Sequence, residues 1–176
     1  MGHALAALAI GVIVAGPRHL VRAIDPPAAR RPTDTAMLAI VPFALLGVFP
    51  DVDLLFGTHS TYTHSLGAAT IVLLLARLVA GSWRWAVAAS LAWASHLLLD
   101  WLGNDTTPPI GIMALWPITW DFYESTLHLF MPISRRYWLP GFLAHNVTAV
   151  MRELVFLGPF ALFAWWRLER IARERH

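Results

Sequence analysis

Five apolar runs, separated by short stretches rich in arginine, proline and hydroxyl residues, leave this chain few surroundings in which to fold. They cover residues 2–16 (GHALAALAIGVIVAG), 36–56 (AMLAIVPFALLGVFPDVDLLF), 66–80 (LGAATIVLLLARLVA), 85–102 (WAVAASLAWASHLLLDWL) and 153–168 (ELVFLGPFALFAWWRL). A helix that crosses a bilayer needs about 20 such residues, so the shorter runs predict ragged or re-entrant ends. Soluble domains are roughly 45–50% apolar and about 25% charged. This chain is 57% hydrophobic and only 14% charged. The pattern predicts an all-α polytopic membrane protein of five transmembrane helices, with residues 1–176 as a single integral-membrane domain. Pro42 and Pro50 are expected to kink or end the second span. Residues 103–152, with Trp116, Trp120, Trp138 and several prolines, are expected to form an outer cap at the membrane interface. The first run reads as a span and not as a signal peptide, because no basic segment precedes it.

Arginine sets the expected orientation. All 13 basic residues are arginine. With 17–35, the turn at 81–84 and the C-terminal tail on the cytoplasmic side, ten of them fall there, and Arg135, Arg136 and Arg152 fall opposite. Cytoplasmic loops carry this excess. The chain is therefore expected in a bacterial inner membrane, N-terminus out and C-terminus cytoplasmic. The sequence pI near 9.7 is accounted for in the same way. The arginines flank apolar runs and are not interleaved with aromatics along a groove, so nucleic acid is not an expected partner.

This orientation gathers polar residues on the outer face. His3 opens the first span, and Asp51 and Asp53 of PDVD (50–53) close the second. His59 and His64 of HSTYTHSL (59–66) lie in the following loop, and His96 and Asp100 of SHLLLD (95–100) lie in the last turns of the fourth. A spacing of four places His96 and Asp100 on one helix face. The chain has no cysteine, so a transition-metal site must use histidine and carboxylate, a set that suits zinc first and manganese or iron next. Taken singly, each histidine reads as an interfacial hydrogen-bonded residue and PDVD as a helix stop. A carboxylate near the membrane, such as Asp100, needs a partner and marks function. Glu124 and His128 are also four apart, and a solvated amphipathic turn explains them equally well. Thr63 or Ser65 is expected to cap the third span.

In order from residue 3 to residue 117, His3, PDVD, HSTYTHSL, SHLLLD and GIMALWP (111–117) resemble the YdjM-like family of membrane-bound metal-dependent hydrolases. A departure is Ser60, where a basic residue is expected after His59. The order Asp, His, His-x-x-x-Asp is also similar to the zinc-dependent phospholipase C and nuclease superfamily. That resemblance implies one metal held by Asp51 or Asp53 with His64, His96 and Asp100. It implies a second held by Asp100 and His3, with Glu124 and His128 completing it.

The expected activity is hydrolysis of a lipid phosphoester by a metal-activated water, with one or two divalent ions and a membrane lipid as partner. The PDVD aspartate that does not bind metal is expected to act as general base, and His59 is a further catalytic candidate. Rival readings are a lipid amidase with one zinc, a transporter, and a structural metal protein. The inner halves of the third and fourth runs hold little that is polar besides Arg77 and Ser90, which argues against a transport relay.

Overall fold

Small residues decide how this chain packs. The first helix, α1 (Gly2–Ala15), is apolar on every side and rich in alanine and glycine, the composition of a helix surrounded by others. It sits among α3 (Pro32–Val48), α5 (Trp83–Trp101) and α6 (Phe142–Arg173). Gly11 takes the ring of Phe43 against its backbone. A side chain on Gly47 would overlap the Cβ of Ala7 and come within 2.6 Å of the His3 carbonyl oxygen. Those two glycines set how closely α1 and α3 approach.

The computed structural model describes residues 1–24, 31–57, 59–106, 108–134 and 136–175; their regular elements are all helices, with no strand among them. A short α2 (Pro17–Ala23) follows α1 at a bend of 89°. Pro32 starts α3, and the Asp34 carboxylate accepts the Arg31 N–H at 3.0 Å. The α3 helix runs through Pro42 and passes into a 3-10 segment, Phe49–Phe56, one residue ahead of Pro50. Pro50 thus marks the change of helix type, and Pro42 does not end the helix. After the short 3-10 turn Tyr62–His64 comes α4 (Leu66–Ala80), capped by Ser65, whose Oγ accepts the Ala68 N–H at 3.0 Å. A turn at Gly81 joins α4 to α5.

All five apolar runs are helical, but a count of five spans is not supported. Among the described residues, two helices are long and apolar enough to cross a membrane: Pro32–Phe56, counting the 3-10 extension, and Phe142–Arg173. The α1–α2 pair reaches that standard only as a broken span. With 15 residues, α4 is ~22 Å long at 1.5 Å per residue, short of a hydrocarbon core. Ser90, Ser95, His96 and Asp100 dilute the apolar character of α5. The segment expected as a cap is also shorter than 103–152, because α6 begins at Phe142, well before residue 153. There the Asn146 side chain bonds both the N–H and the carbonyl of Ser134, and His145 Nε2 reaches the Pro132 carbonyl at 2.8 Å.

The two ends of the bundle differ in chemistry. Arg84 approaches Gly16 at the α1–α2 bend, and Arg175 bonds the carbonyls of Val21 and Ile24. Arg30 and Arg135, which enter the charge asymmetry, lie outside the described residues. The opposite end carries His3, Asp51, Asp53, His59, His64, His96 and Asp100.

Candidate metal centre

Four segments bring their polar side chains together at that end. His3 stands in the first turn of α1, Asp51 and Asp53 in the 3-10 segment, His64 just ahead of α4, and His96 and Asp100 one turn apart in α5. His64 and His96 are fully buried. Their Nε2 atoms face each other at 3.0 Å. Asp100 Oδ2 lies 3.0 Å from His96 Nε2 and 3.2 Å from His64 Nε2, yet makes no hydrogen bond. Asp51 Oδ1 is 3.6 Å and 3.8 Å from the same two nitrogens. His3 stacks on His96 with ring centroids 3.9 Å apart, and its Nε2 is 3.4 Å from Asp100 Oδ1.

The surroundings of each ring decide where its proton sits. His96 Nδ1 is 2.7 Å from the Gly47 carbonyl, which can only accept, so this nitrogen carries hydrogen. His64 Nδ1 lies 3.0 Å from Thr63 Oγ1, whose own O–H donates to Asp53 Oδ2, so this nitrogen carries hydrogen and donates to the hydroxyl, with Asp53 Oδ2 3.1 Å away. In neutral imidazoles both Nε2 atoms then hold lone pairs, and these point at each other and at two carboxylate oxygens. Such an arrangement repels itself unless something positive sits at its centre. A proton is one such charge. Burial lowers the pKa of His64, but the carboxylates of Asp100, Asp51 and Asp53 outweigh it and push the value up to about 11.

A divalent ion is the other. Ligands ~2.0–2.2 Å from a tetrahedral zinc lie about 3.3 Å apart, and the contacts of 3.0–3.8 Å among His64, His96, Asp51 and Asp100 match that edge. Among the described residues, three groups have ligand atoms placed within 4.8 Å of one another: His3, His96 and Asp100; Asp51, His64 and His96; and Asp53, His59 and His64. The residues fit a metal ion, with protein groups behind them that hold the imidazoles in the required tautomer.

Asp51 and Asp53 have different surroundings. In a 3-10 helix of about three residues per turn, side chains two apart point roughly 120° away from each other. Asp51 faces the two Nε2 atoms. Asp53, buried, has both oxygens engaged: Oδ2 accepts from Thr63 Oγ1 at 3.0 Å, and Oδ1 lies 3.3 Å from His59 Nδ1. Glu124 and His128 are not brought to the centre. No helix forms there, His128 sits at φ 43°, and the pair is 3.9 Å apart. Glu124 Oε1 accepts the Asp105 N–H at 2.7 Å and so braces a loop. Their spacing of four carried no meaning outside a helix.

Three contributors escape sequence reasoning. Gly47 offers the carbonyl for His96. Trp93 donates its indole N–H to the Thr63 carbonyl at 2.9 Å, fixing the His64 turn. Glu153 of α6 accepts the Gly2 N–H at 2.8 Å. A cleft of about 170 Å³ opens beside the centre, lined by His3, His59, Asp100, Asn104, Asp105 and Glu153 among others. No family model matches the chain, and neither a curated protein nor a solved structure matches it.

Proposed function

We propose that the chain is a membrane-embedded, metal-dependent hydrolase that cleaves a phosphoester of a lipid at the outer face of a bacterial inner membrane. The observation that carries this reading is the convergence of two buried Nε2 lone pairs with Asp51 Oδ1 and Asp100 Oδ2. The resemblance in motif order to the YdjM-like hydrolases and to zinc-dependent phospholipases C supports the reaction class. His64, His96, Asp51 and Asp100 would hold the ion, zinc before manganese or iron. Asp100 turns its second oxygen to His3, so one ion or two sharing Asp100 suit the arrangement. When bound, the ion supplies Lewis acidity to a phosphoryl oxygen and to the attacking water.

The protein's own groups do the rest. Gly47 and Asp53 keep the imidazoles in the ligand tautomer. With both its oxygens engaged, Asp53 orients His59 and does not itself take a proton. His59 lines the cleft with its Nδ1 tied to Asp53, which leaves Nε2 for proton traffic. Nε2 takes a proton from the water as its oxygen bonds phosphorus, and returns it to the leaving alkoxide as the old P–O bond breaks. The cleft is smaller than the ~300–1,000 Å³ of pockets for drug-sized ligands. It suits a headgroup, with the acyl tails left in the bilayer. Exposed apolar residues of α6, such as Val155, Phe160 and Leu162, give the lipid contact that this placement needs.

Metal content of the detergent-purified protein tests the reading, beside Asp100→Asn and His96→Ala. One or two equivalents of zinc or manganese in the wild type, lost from both variants while they stay folded, is the expected result. Release of phosphorylated headgroups from a panel of phospholipids, abolished in the same variants, would follow. A wild type that binds no metal after reconstitution with zinc, manganese and iron overturns the proposal.

A further inference from the structure

His3 differs from the other two histidines of the centre in how it is held. His64 and His96 each have Nδ1 tied by a neighbouring oxygen. His3 Nδ1 is buried with no hydrogen-bond partner, and Nε2 faces Asp100 at 3.4 Å. With no side-chain tether, its position depends on the ring stack with His96 and on where the first turn of α1 lies. That turn has no side-chain cap of its own. The group that reaches it comes from the far end of the chain: Glu153 Oε2 accepts the Gly2 N–H at 2.8 Å, 151 residues away. The Met1 amino group lies farther off, 3.7 Å from the same oxygen. A Cβ on residue 2 would stand 2.9 Å from Glu153 Cδ, so any larger residue there displaces the carboxylate.

A buried carboxylate in an apolar helix is costly unless it is used. Here it neutralises the positive end of α1, where helix N–H groups lack partners. We propose that Glu153 is a positioning residue of the metal centre, clamping the first turn of α1 so that His3 is presented to Asp100. The proposal rests on the metal reading above, and it adds α6 to the elements that build the site.

Zinc affinity, measured by competition with a chromogenic chelator, tests it in Glu153→Ala, Glu153→Gln, His3→Ala and the Glu153→Ala/His3→Ala pair. Loss of a group that orients a ligand costs roughly 10–100-fold in metal affinity. Glu153→Ala is expected to weaken zinc about tenfold or more, and Glu153→Gln, which keeps an acceptor oxygen, by about threefold at most. In the His3→Ala background, Glu153→Ala should cost nothing further. An equal loss in that background, or none in the wild type, overturns the clamp. Should Glu153→Ala fail to fold, Gly2→Ala, which displaces the carboxylate while keeping Glu153 in the chain, is expected to weaken zinc in the same direction; unchanged affinity there is equally fatal. Hydrogen exchange of the amides of residues 2–6 gives a readout that needs no metal. Faster exchange in Glu153→Ala, and not in Glu153→Gln, supports the clamp even if the wild type binds no zinc and the metal reading falls; unchanged exchange sinks it.

Discussion

Replacing Gly47 by alanine puts the packing and the centre to one test. In an ordinary helix interior, glycine to alanine stabilises by about 1 kcal/mol. Here the added Cβ would overlap that of Ala7 and stand 2.6 Å from the His3 carbonyl oxygen, where backbone cannot give way cheaply. Overpacking of that kind costs about 1–3 kcal/mol. Pushing α3 off α1 also stretches the 2.7 Å bond from His96 Nδ1 to the Gly47 carbonyl, worth about 1 kcal/mol. Set against the propensity gain, the variant should lose about 1–3 kcal/mol. Its zinc affinity should fall too, because His96 is no longer pinned in the tautomer that exposes a lone pair. Unfolding in mixed micelles and chelator competition measure the two quantities. A variant more stable than the wild type, with zinc affinity unchanged, would refute the close approach of α1 and α3, because the sign of the effect depends on it.

Other expectations are simpler to state. Trp93→Phe keeps the apolar bulk but loses the bond to the Thr63 carbonyl, and should cost about 1 kcal/mol in the unfolding assay. Ser65→Ala removes the cap of α4 and should cost about 1 kcal/mol as well. His64 contributes a pH dependence to the metal-free protein. Its folded pKa is raised from 6.5 to about 11, so its stabilising charge is fully present below pH 6.5 and is lost as pH rises towards 11. Thermal unfolding of the chelator-treated protein should therefore move to lower temperature between pH 7 and pH 10, and a flat profile would contradict the carboxylate cluster around His64. Reporter fusions at the C-terminus should fluoresce as a cytoplasmic green protein and stay inactive as a periplasmic phosphatase; the reverse pattern would invert the orientation.

The histidine–aspartate cluster was readable because helical spacing and the alternation of apolar runs are both simple periodicities. His96 and Asp100 meet across one turn of α5, and His3, PDVD and His64 join them once the chain is threaded back and forth. Every one of the five apolar runs formed helix for the same reason. The rest depended on features with no period. Which PDVD aspartate faces the histidines follows from a 3-10 turn, and a run of eight apolar and acidic residues does not announce that geometry. Gly47 looks like any glycine in an apolar run until α1 is laid against it. Glu153 has its partner 151 positions away, and no local pattern joins them. The five-span count is not supported because α1 and α4 stop after 14 and 15 residues, short of what a spanning helix needs. The pairing of Glu124 with His128 presumed a helix in a segment that forms turns.

The clamp on α1 also has a consequence in time. The first helix made is the last to be completed, since its neighbours arrive with residues 47, 64, 96, 100 and finally 153. At a synthesis rate of about 5–20 residues per second, Glu153 emerges on the order of ten seconds after His3. Through that interval α1 waits as an apolar helix with an untethered imidazole. A chain that stopped anywhere before α6 would lack the closing contact, leaving the first turn of α1 without the carboxylate that holds it.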